Sequence, residues 1–183
     1  YGNSNMTACL AQKLRNKVNN TSDYVPPIVI LVRPQMAENI GASARAMMNC
    51  GLNDLRIVAP RDGWPNPIAF PMAAGASQII ENAKLYDNIA AAAHDVNFVV
   101  AATARRRDMP MRETDPRAVA NEILAHHGKA ALLFGPEASG LDNDEVVQAD
   151  VLVTAALNPK YPSLNLAQAV LLLAWEWRAA MLV

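Results

Sequence analysis

Residues 131–170 read ALLFGPEASGLDNDEVVQADVLVTAALNPKYPSLNLAQAV, and the reading of this stretch decides the fold. Two short apolar runs, Ala130–Phe134 and Val151–Ala155, have the length and composition of strands buried on both faces. Each runs into a segment rich in Gly, Pro, Ser and Asn, residues that favour turns and leave backbone groups exposed. Two such loops at one edge of a parallel sheet enclose a crevice lined by N–H and C=O groups. A small polar ligand is expected in that crevice, with the chemistry carried by the loops.

Working outward, the same alternation continues in both directions. Towards the N-terminus, Ile28–Val32 is a continuous β-branched run, read as a central strand. Glu38–Cys50 then carries Ile40, Ala44, Met47 and Met48 at helical spacing, stopped by Gly51. Leu55–Ala59, Ala83–Tyr86 and Asn97–Ala101 read as further strands. Short helical pieces are expected at Met72–Ser77 and Asn88–His94. Asp115-Pro116 is a helix start, with Asp as N-cap and Pro in the first turn, for a helix reaching Ala125. Towards the C-terminus, Leu164–Leu182 reads as the last helix, with Ser163 as a candidate cap. Its apolar residues cover more than one face, whereas a surface helix needs a single stripe; a second copy of the chain is expected against the other face. Strands alternating with helices predict an α/β domain with a mostly parallel sheet flanked by helices, spanning residues 26–183. Residues 1–25 read as an N-terminal tail, partly foreign sequence, with a short helix at Ala8–Val18 and no catalytic role.

Composition narrows the function classes. The chain has 183 residues, 52% of them hydrophobic and 18% charged, enough for one domain with a real core. Its formal net charge of −1 argues against nucleic-acid binding by bulk charge, so any phosphate contact needs a local patch. Its two cysteines, Cys9 and Cys50, form no disulfide framework and no metal spacing, and a reduced, cytoplasmic setting is expected. His94, His126 and His127 show no metal spacing either, so no metal is expected. No apolar run is long enough to span a bilayer. The loop after Ile28–Val32 lacks G-x-G-x-x-G, as does every other strand–helix junction, which counts against the usual dinucleotide site.

Three constellations remain. Asn39-Ile40-Gly41-Ala42-Ser43-Ala44-Arg45 opens the first helix, where Gly41 permits close approach of another backbone. Phe134-Gly135-Pro136-Glu137-Ala138-Ser139-Gly140-Leu141 places a carboxylate, Glu137, in the expected crevice. Asn158-Pro159-Lys160-Tyr161-Pro162-Ser163-Leu164-Asn165-Leu166 puts Asn165, a poor helix former, one turn into the last helix. Arg105, Arg106, Arg107 and Arg112 form the one dense basic cluster, readable as a solvated loop or as a phosphate-contacting patch.

In this order and separation, the three constellations together resemble the SpoU-type RNA 2′-O-ribose methyltransferases of the SPOUT superfamily. Asn39…Arg45 corresponds to the family's first motif, Leu133–Glu137 to its second and Pro162–Val170 to its third, and the likeness covers residues 26–183. The wording from Asn158 to Val170 is most similar to the TrmJ branch, which methylates a ribose in the tRNA anticodon loop, at position 32 on cytidine or uridine. The resemblance implies a deep trefoil knot in the C-terminal part of the sheet, which general chain-topology rules would not suggest. It also implies a homodimer, an RNA partner and S-adenosyl-L-methionine as cofactor. The implied cofactor loops are Ala102-Thr103-Ala104, Gly135, the strand end from Ala155 to Leu157, and Pro162-Ser163-Leu164. The implied catalytic group is Arg45, as base or as stabiliser of the developing alkoxide, with Asn39, Glu137, Ser163 and Asn165 orienting it. Arg45, Arg105, Arg106, Arg107 and Arg112 are the implied RNA contacts. Two features depart from the family: Ala138 stands where an arginine is common, and TrmJ-type chains usually continue past the point that Val183 marks here. Alternatives stay open at this point: a SPOUT-fold RNA-binding protein without catalysis, ribosomal RNA as the substrate, or an unrelated α/β nucleotide-binding enzyme.

Overall fold

The computed structural model describes residues 24–104 and 110–182. The chain runs β1 (Ile28–Val32), α1 (Ala37–Cys50), β2 (Leu55–Val58), α2 (Ala69–Ala73), α3 (Ser77–Glu81), β3 (Lys84–Tyr86), α4 (Ile89–Ala92), β4 (Phe98–Ala102), β5 (Glu113–Thr114), α5 (Pro116–Ala125), β6 (Ala130–Phe134), α6 (Asn143–Val146), β7 (Val151–Val153) and α7 (Leu166–Met181). The seven strands form one sheet in the order β3-β2-β1-β6-β4-β7-β5, and every pairing is parallel.

Parallel strands need cover on both faces, and their alternating side chains supply it. Val29 and Leu31 pack in one apolar cluster with α1, α5 and α7. Ile28, Ile30 and Val32 point the other way, into a cluster with Ile89, Ala92, Leu141 and Val146. All five residues of β1 and of β6 are buried, so these two strands are the centre of the sheet. Because every strand is parallel, the carboxyl ends of β1, β4, β6 and β7 share one edge, and the loops that leave them meet there.

Gly41 has the close approach expected of it. A Cβ on Gly41 would lie 2.0 Å from the Ala69 carbonyl oxygen, so α2 lies directly on α1. Elsewhere the boundaries differ from the sequence expectation. The helical piece expected at Met72–Ser77 is two short helices, α2 and α3, broken where Ala74 and Gly75 take positive φ (42° and 96°). β7 ends at Val153, leaving Ala155 in the loop. β5 is only two residues long, and α6 is one turn closed by a capping box between Asp142 and Glu145; the sequence pattern predicts neither. The last helix starts at Leu166, with Asn165 rather than Ser163 as its N-cap. The Asn165 side chain accepts from the Ala167 N–H, and the Gln168 side chain accepts in return from the Asn165 N–H. The helix expected at Ala8–Val18 lies outside the described residues. No described helix is long and apolar enough to cross a membrane.

Candidate functional site

A cavity of about 880 Å³ opens at the carboxyl edge of the sheet. Its walls are the segments leaving β4 (Ala102, Thr103, Ala104), β6 (residues 135–141) and β7 (residues 154–157), the 159–164 loop, β5 with the first residues of α5, and Leu166, Ala169, Leu172 and Leu173 of α7. This volume lies in the range of small-molecule sites. All the residues that sequence reasoning assigned to a cofactor line it: Ala102, Thr103, Ala104, Gly135, Ala155, Leu157, Pro162, Ser163 and Leu164. Gly135 has no room for a side chain, since a Cβ there would stand 2.2 Å from Leu141 N and 2.4 Å from Gly140 C. The 135–141 loop therefore folds back on its own start.

Residues from all three constellations meet beside the cavity in one hydrogen-bonded chain. Glu137 follows the buried Pro136 in the cavity lining, and both of its carboxylate oxygens are engaged. Oε1 accepts from Asn39 Nδ2 at 2.7 Å and from the Met36 N–H at 3.3 Å; Oε2 accepts from the Gln35 N–H at 2.8 Å. The N-cap residue of α1, Met36, makes no side-chain cap, so a carboxylate about a hundred residues away in sequence does the capping. Asn39, buried in the first turn of α1, turns its Oδ1 to Asn165 Nδ2 at 2.9 Å, and Asn165 caps α7. Gln35 Oε1 also accepts from the Ala138 N–H at 3.3 Å. These bonds fix the β1–α1 loop, the β6 loop and the start of α7 relative to one another. They consume the polar atoms of Asn39 and Glu137, which makes both positioning residues for the cavity wall.

The structure does not bring Arg45 into this network. Arg45 follows Asn39 by six residues on α1, a rotation of roughly 240° and a rise of about 9 Å. It sits on an exposed stripe with Met48 and Asn49, and among the described residues it forms no hydrogen bond or ion pair. Ser163 is exposed at the cavity mouth, its hydroxyl free of protein partners among the described residues. Arg112 is exposed and makes a bidentate pair with Glu122 at 2.7–2.8 Å. That bond raises the Arg112 pKa and holds the Glu122 carboxyl below its ordinary range. Arg105, Arg106 and Arg107 lie outside the described residues.

Sequence reasoning missed part of the lining. Glu113, Thr114, Asp115 and Pro116 form one wall, and Thr154 another. The Asp115 carboxylate caps α5, accepting from the Arg117 and Ala118 N–H groups. Thr154 Oγ1 is buried without a hydrogen-bond partner among the described residues, which leaves a polar atom for a ligand to satisfy. The hint for Glu113 and Thr114 was their place just before the Asp115-Pro116 helix start, but two residues carry no strand periodicity. The lining combines apolar walls from Leu157, Leu164, Leu172 and Leu173 with polar contacts from loop backbone and Thr154, and so suits a small molecule with both apolar and polar parts.

Comparisons with known proteins agree with this geometry. The model of the SpoU rRNA Methylase family matches residues 26–175. The tRNA (cytidine/uridine-2'-O-)-methyltransferase TrmJ of Pectobacterium atrosepticum is 41% identical over 154 residues, covering 83% of this chain and 64% of that protein. The crystal structure of TrmJ from Z. mobilis ZM4 superposes with a TM-score of 0.83 at 47% identity, covering 85% of this chain and 70% of that one. The SpoU methyltransferase AviRb from Streptomyces viridochromogenes, solved in complex with AdoMet, superposes with a TM-score of 0.64 at 18% identity, over 86% of this chain and 57% of that one, a likeness of fold alone. The chain spans 64–66% of the length of the first curated relatives it matches.

Proposed function

The chain belongs to the SpoU rRNA Methylase family, and from that premise we propose that it is an S-adenosylmethionine-dependent RNA 2′-O-ribose methyltransferase acting on tRNA. The observation that carries this reading is the Asn39–Glu137–Asn165 chain, which gathers three distant motifs around a cavity of cofactor size. The TrmJ relatives act on cytidine or uridine of tRNA by name, and the anticodon-loop position 32 is the substrate this reading favours. A tRNA substrate implies the cytoplasm.

The cofactor would be held by Ala102–Ala104, Gly135, Ala155, Leu157 and Pro162–Leu164, with Thr154 Oγ1 as a further polar contact. When bound, it supplies a methyl group already activated on a sulfonium. The chain's own residues then have to hold the ribose hydroxyl in line and favour its loss of a proton, and positioning alone is worth roughly 7–11 kcal/mol in well-oriented systems. A guanidinium stays protonated in proteins, so Arg45 acts by stabilising the developing alkoxide and holding the adjacent phosphate. On this reading Arg45, exposed and away from its own Asn39–Glu137–Asn165 chain, serves the cavity of a second copy. Leu171 and Trp175, 40% and 60% exposed and one turn apart on α7, lie on a helix packed against α1, and they form the apolar centre of that homodimer face. Trp175→Lys should convert the dimer to a monomer by light scattering and abolish turnover; a variant that stays dimeric refutes this face.

The trefoil knot is part of the same reading. β7 lies between β4 and β5 in the sheet, and Met111, just before β5, packs on the face opposite to α5. Residues 102–104 and 110–115 thus stand on either side of the point where β7 ends, and in the knot residues 154–165 would pass between these two segments on the way to α7. An experimental backbone trace that pulls straight from both ends would refute the knot.

The deciding experiment is methyl transfer from labelled S-adenosylmethionine to tRNA transcripts. Arg45→Ala should lose roughly 10²–10³ in turnover, and Arg45→Lys should not rescue it, because the fork geometry is gone. Wild-type turnover by Arg45→Ala removes Arg45 from the mechanism, and transfer only to ribosomal RNA changes the substrate. Ala138, in a place where relatives often carry arginine, favours one second reading: an RNA-binding protein of this fold without catalysis. Calorimetry with S-adenosylmethionine separates the two, since that protein would not bind the cofactor.

A further inference from the structure

The Tyr161 ring is 75% exposed, the most exposed large apolar side chain among the described residues. Its surroundings set it apart from an ordinary surface tyrosine. Pro159 and Pro162 on either side line the cavity, so Tyr161 is carried on a loop that borders the cavity without lining it. The turn that carries it is pinned: the Tyr161 N–H donates to the Asn158 carbonyl at 2.8 Å, and the Lys160 N–H donates to Asn158 Oδ1 at 3.0 Å. Four residues on, Asn165 ties the same loop to Asn39 and thence to Glu137. Among the described residues the ring has no aromatic or cationic partner. A ring exposed on a pinned turn loses little freedom when something stacks on it.

We propose that Tyr161 is a stacking platform for an unpaired RNA base next to the nucleotide whose ribose enters the cavity, with Lys160 contacting the adjoining phosphate. The proposal rests on the RNA-methyltransferase reading and adds to it a requirement for single-stranded substrate. Base faces are accessible only where a strand is unpaired, because stacking hides them in a duplex. Every base has such a face, so the platform selects loop over helix without selecting sequence. Trp175, in the homodimer face proposed above, lies ten residues, roughly 15 Å, along α7 from its N-cap.

The test measures binding of a fluorescently labelled anticodon stem-loop to the full chain and to its Tyr161→Ala and Tyr161→Phe variants. Alanine should weaken binding about five- to hundredfold, the range found for loss of one base–aromatic stack. Phenylalanine should stay within about twofold of wild type. Calorimetric affinity for S-adenosylmethionine should be the same in all three, and turnover at saturating RNA should change far less than KM. The same sequence closed into a duplex should bind weakly to all three. Equal loop binding by wild type and Tyr161→Ala overturns the platform. So does an equal loss in Tyr161→Phe, which would assign the effect to the hydroxyl, and so does a change of oligomeric state in Tyr161→Ala, which would make the ring a protein contact. If wild type binds the loop and Tyr161→Ala does not, yet no methyl group is transferred, the platform stands and the enzyme reading falls. If wild type binds no RNA, both fall.

Discussion

Replacing Glu137 with alanine tests whether this carboxylate holds the site together. Three donors lose their acceptor at once: Asn39 Nδ2, the Gln35 N–H and the Met36 N–H. Each hydrogen bond is worth a net of about 0.5–1.5 kcal/mol, and an anion at a helix N-terminus adds about 0.3–1 kcal/mol. Water reaches part of the space vacated, so the expected loss is about 2–4 kcal/mol. For a domain of this size that lowers Tm by about 5–15 °C. Glutamine keeps the shape but has one acceptor oxygen. If that oxygen serves Asn39 and Met36, its NH₂ group faces the Gln35 N–H, and the cost falls to about half of the alanine value. Urea unfolding followed by circular dichroism measures both variants. The reasoning fails if Glu137→Ala loses less than about 0.5 kcal/mol, or if Glu137→Gln is the less stable of the two. The Ala variant should also bind S-adenosylmethionine more weakly, because the 135–141 wall then loses its three Glu137 bonds to the β1–α1 loop and to Asn39.

Gly135→Ala puts a Cβ against backbone, 2.2–2.9 Å from atoms of Gly140 and Leu141, so the loop must open. A loss of about 1–3 kcal/mol and at least a tenfold fall in cofactor affinity by calorimetry are expected; wild-type affinity would mean that the loop is not the cofactor wall. Asp95→Asn acts far from the cavity. The Arg56 side chain is 2% exposed and is held by Asp54, Asp95 and the Ala92 carbonyl, while Lys129 Nζ lies 2.6 Å from Asp95. The bonds from Arg56, then Lys129, keep the Asp95 carboxyl far below the ordinary carboxylate range. A folded-state pKa below the unfolded value means that the stabilisation is present above about pH 5 and is lost as pH falls through the carboxylate range. Asp95→Asn should therefore cost about 2–4 kcal/mol at about pH 7 and flatten the acid side of the stability–pH curve. An unchanged acid limb in urea titrations would refute this account.

The strands were legible because parallel strands buried on both faces read as unbroken apolar runs, as in Ile28–Val32 and Ala130–Phe134. Asp115-Pro116 marked its helix start because capping is local chemistry. The choice between Ser163 and Asn165 was not local. Both residue types cap helices, and the contact from Asn165 Nδ2 to Asn39, 126 residues away, accompanies the cap at Asn165. The same limit hid the burial of Arg56, whose partner Asp95 lies 39 residues on, and the strand role of Glu113–Thr114, which exists only because β7 is beside it. The outward turn of Arg45 could have been read from helical phase alone, since six residues cannot return to the face of Asn39. The motifs name which residues matter; their hydrogen-bond partners separate those that hold the wall from those free to meet a ligand.

The direction of the hydrogen bonds makes one last prediction. An ionised Glu137 can only accept, so Asn39 must present Nδ2 to it and keep Oδ1 for Asn165 Nδ2; Asn165 then has only Oδ1 left for the Ala167 N–H. Asn39→Asp keeps the shape and removes the one donor. It places a second carboxylate about hydrogen-bond distance from Glu137, at a position only 8% exposed in the wild type. Two carboxylates so close do not both ionise, so the pair takes up a proton and its folded-state pKa rises. A raised folded pKa means that the variant approaches wild type below the unfolded carboxylate pKa and loses ground as pH rises. The deficit should be about 3 kcal/mol near pH 8 and about 1 kcal/mol near pH 5, since each tenfold change in proton affinity between the folded and unfolded states is worth roughly 1.36 kcal/mol. Asn39→Ala, which adds no charge, should show a deficit independent of pH. Urea midpoints across that range, with constant m-values, measure both. A flat difference for Asn39→Asp would mean that Asn39 and Glu137 are not coupled, and the three segments would then need another explanation for meeting at this edge.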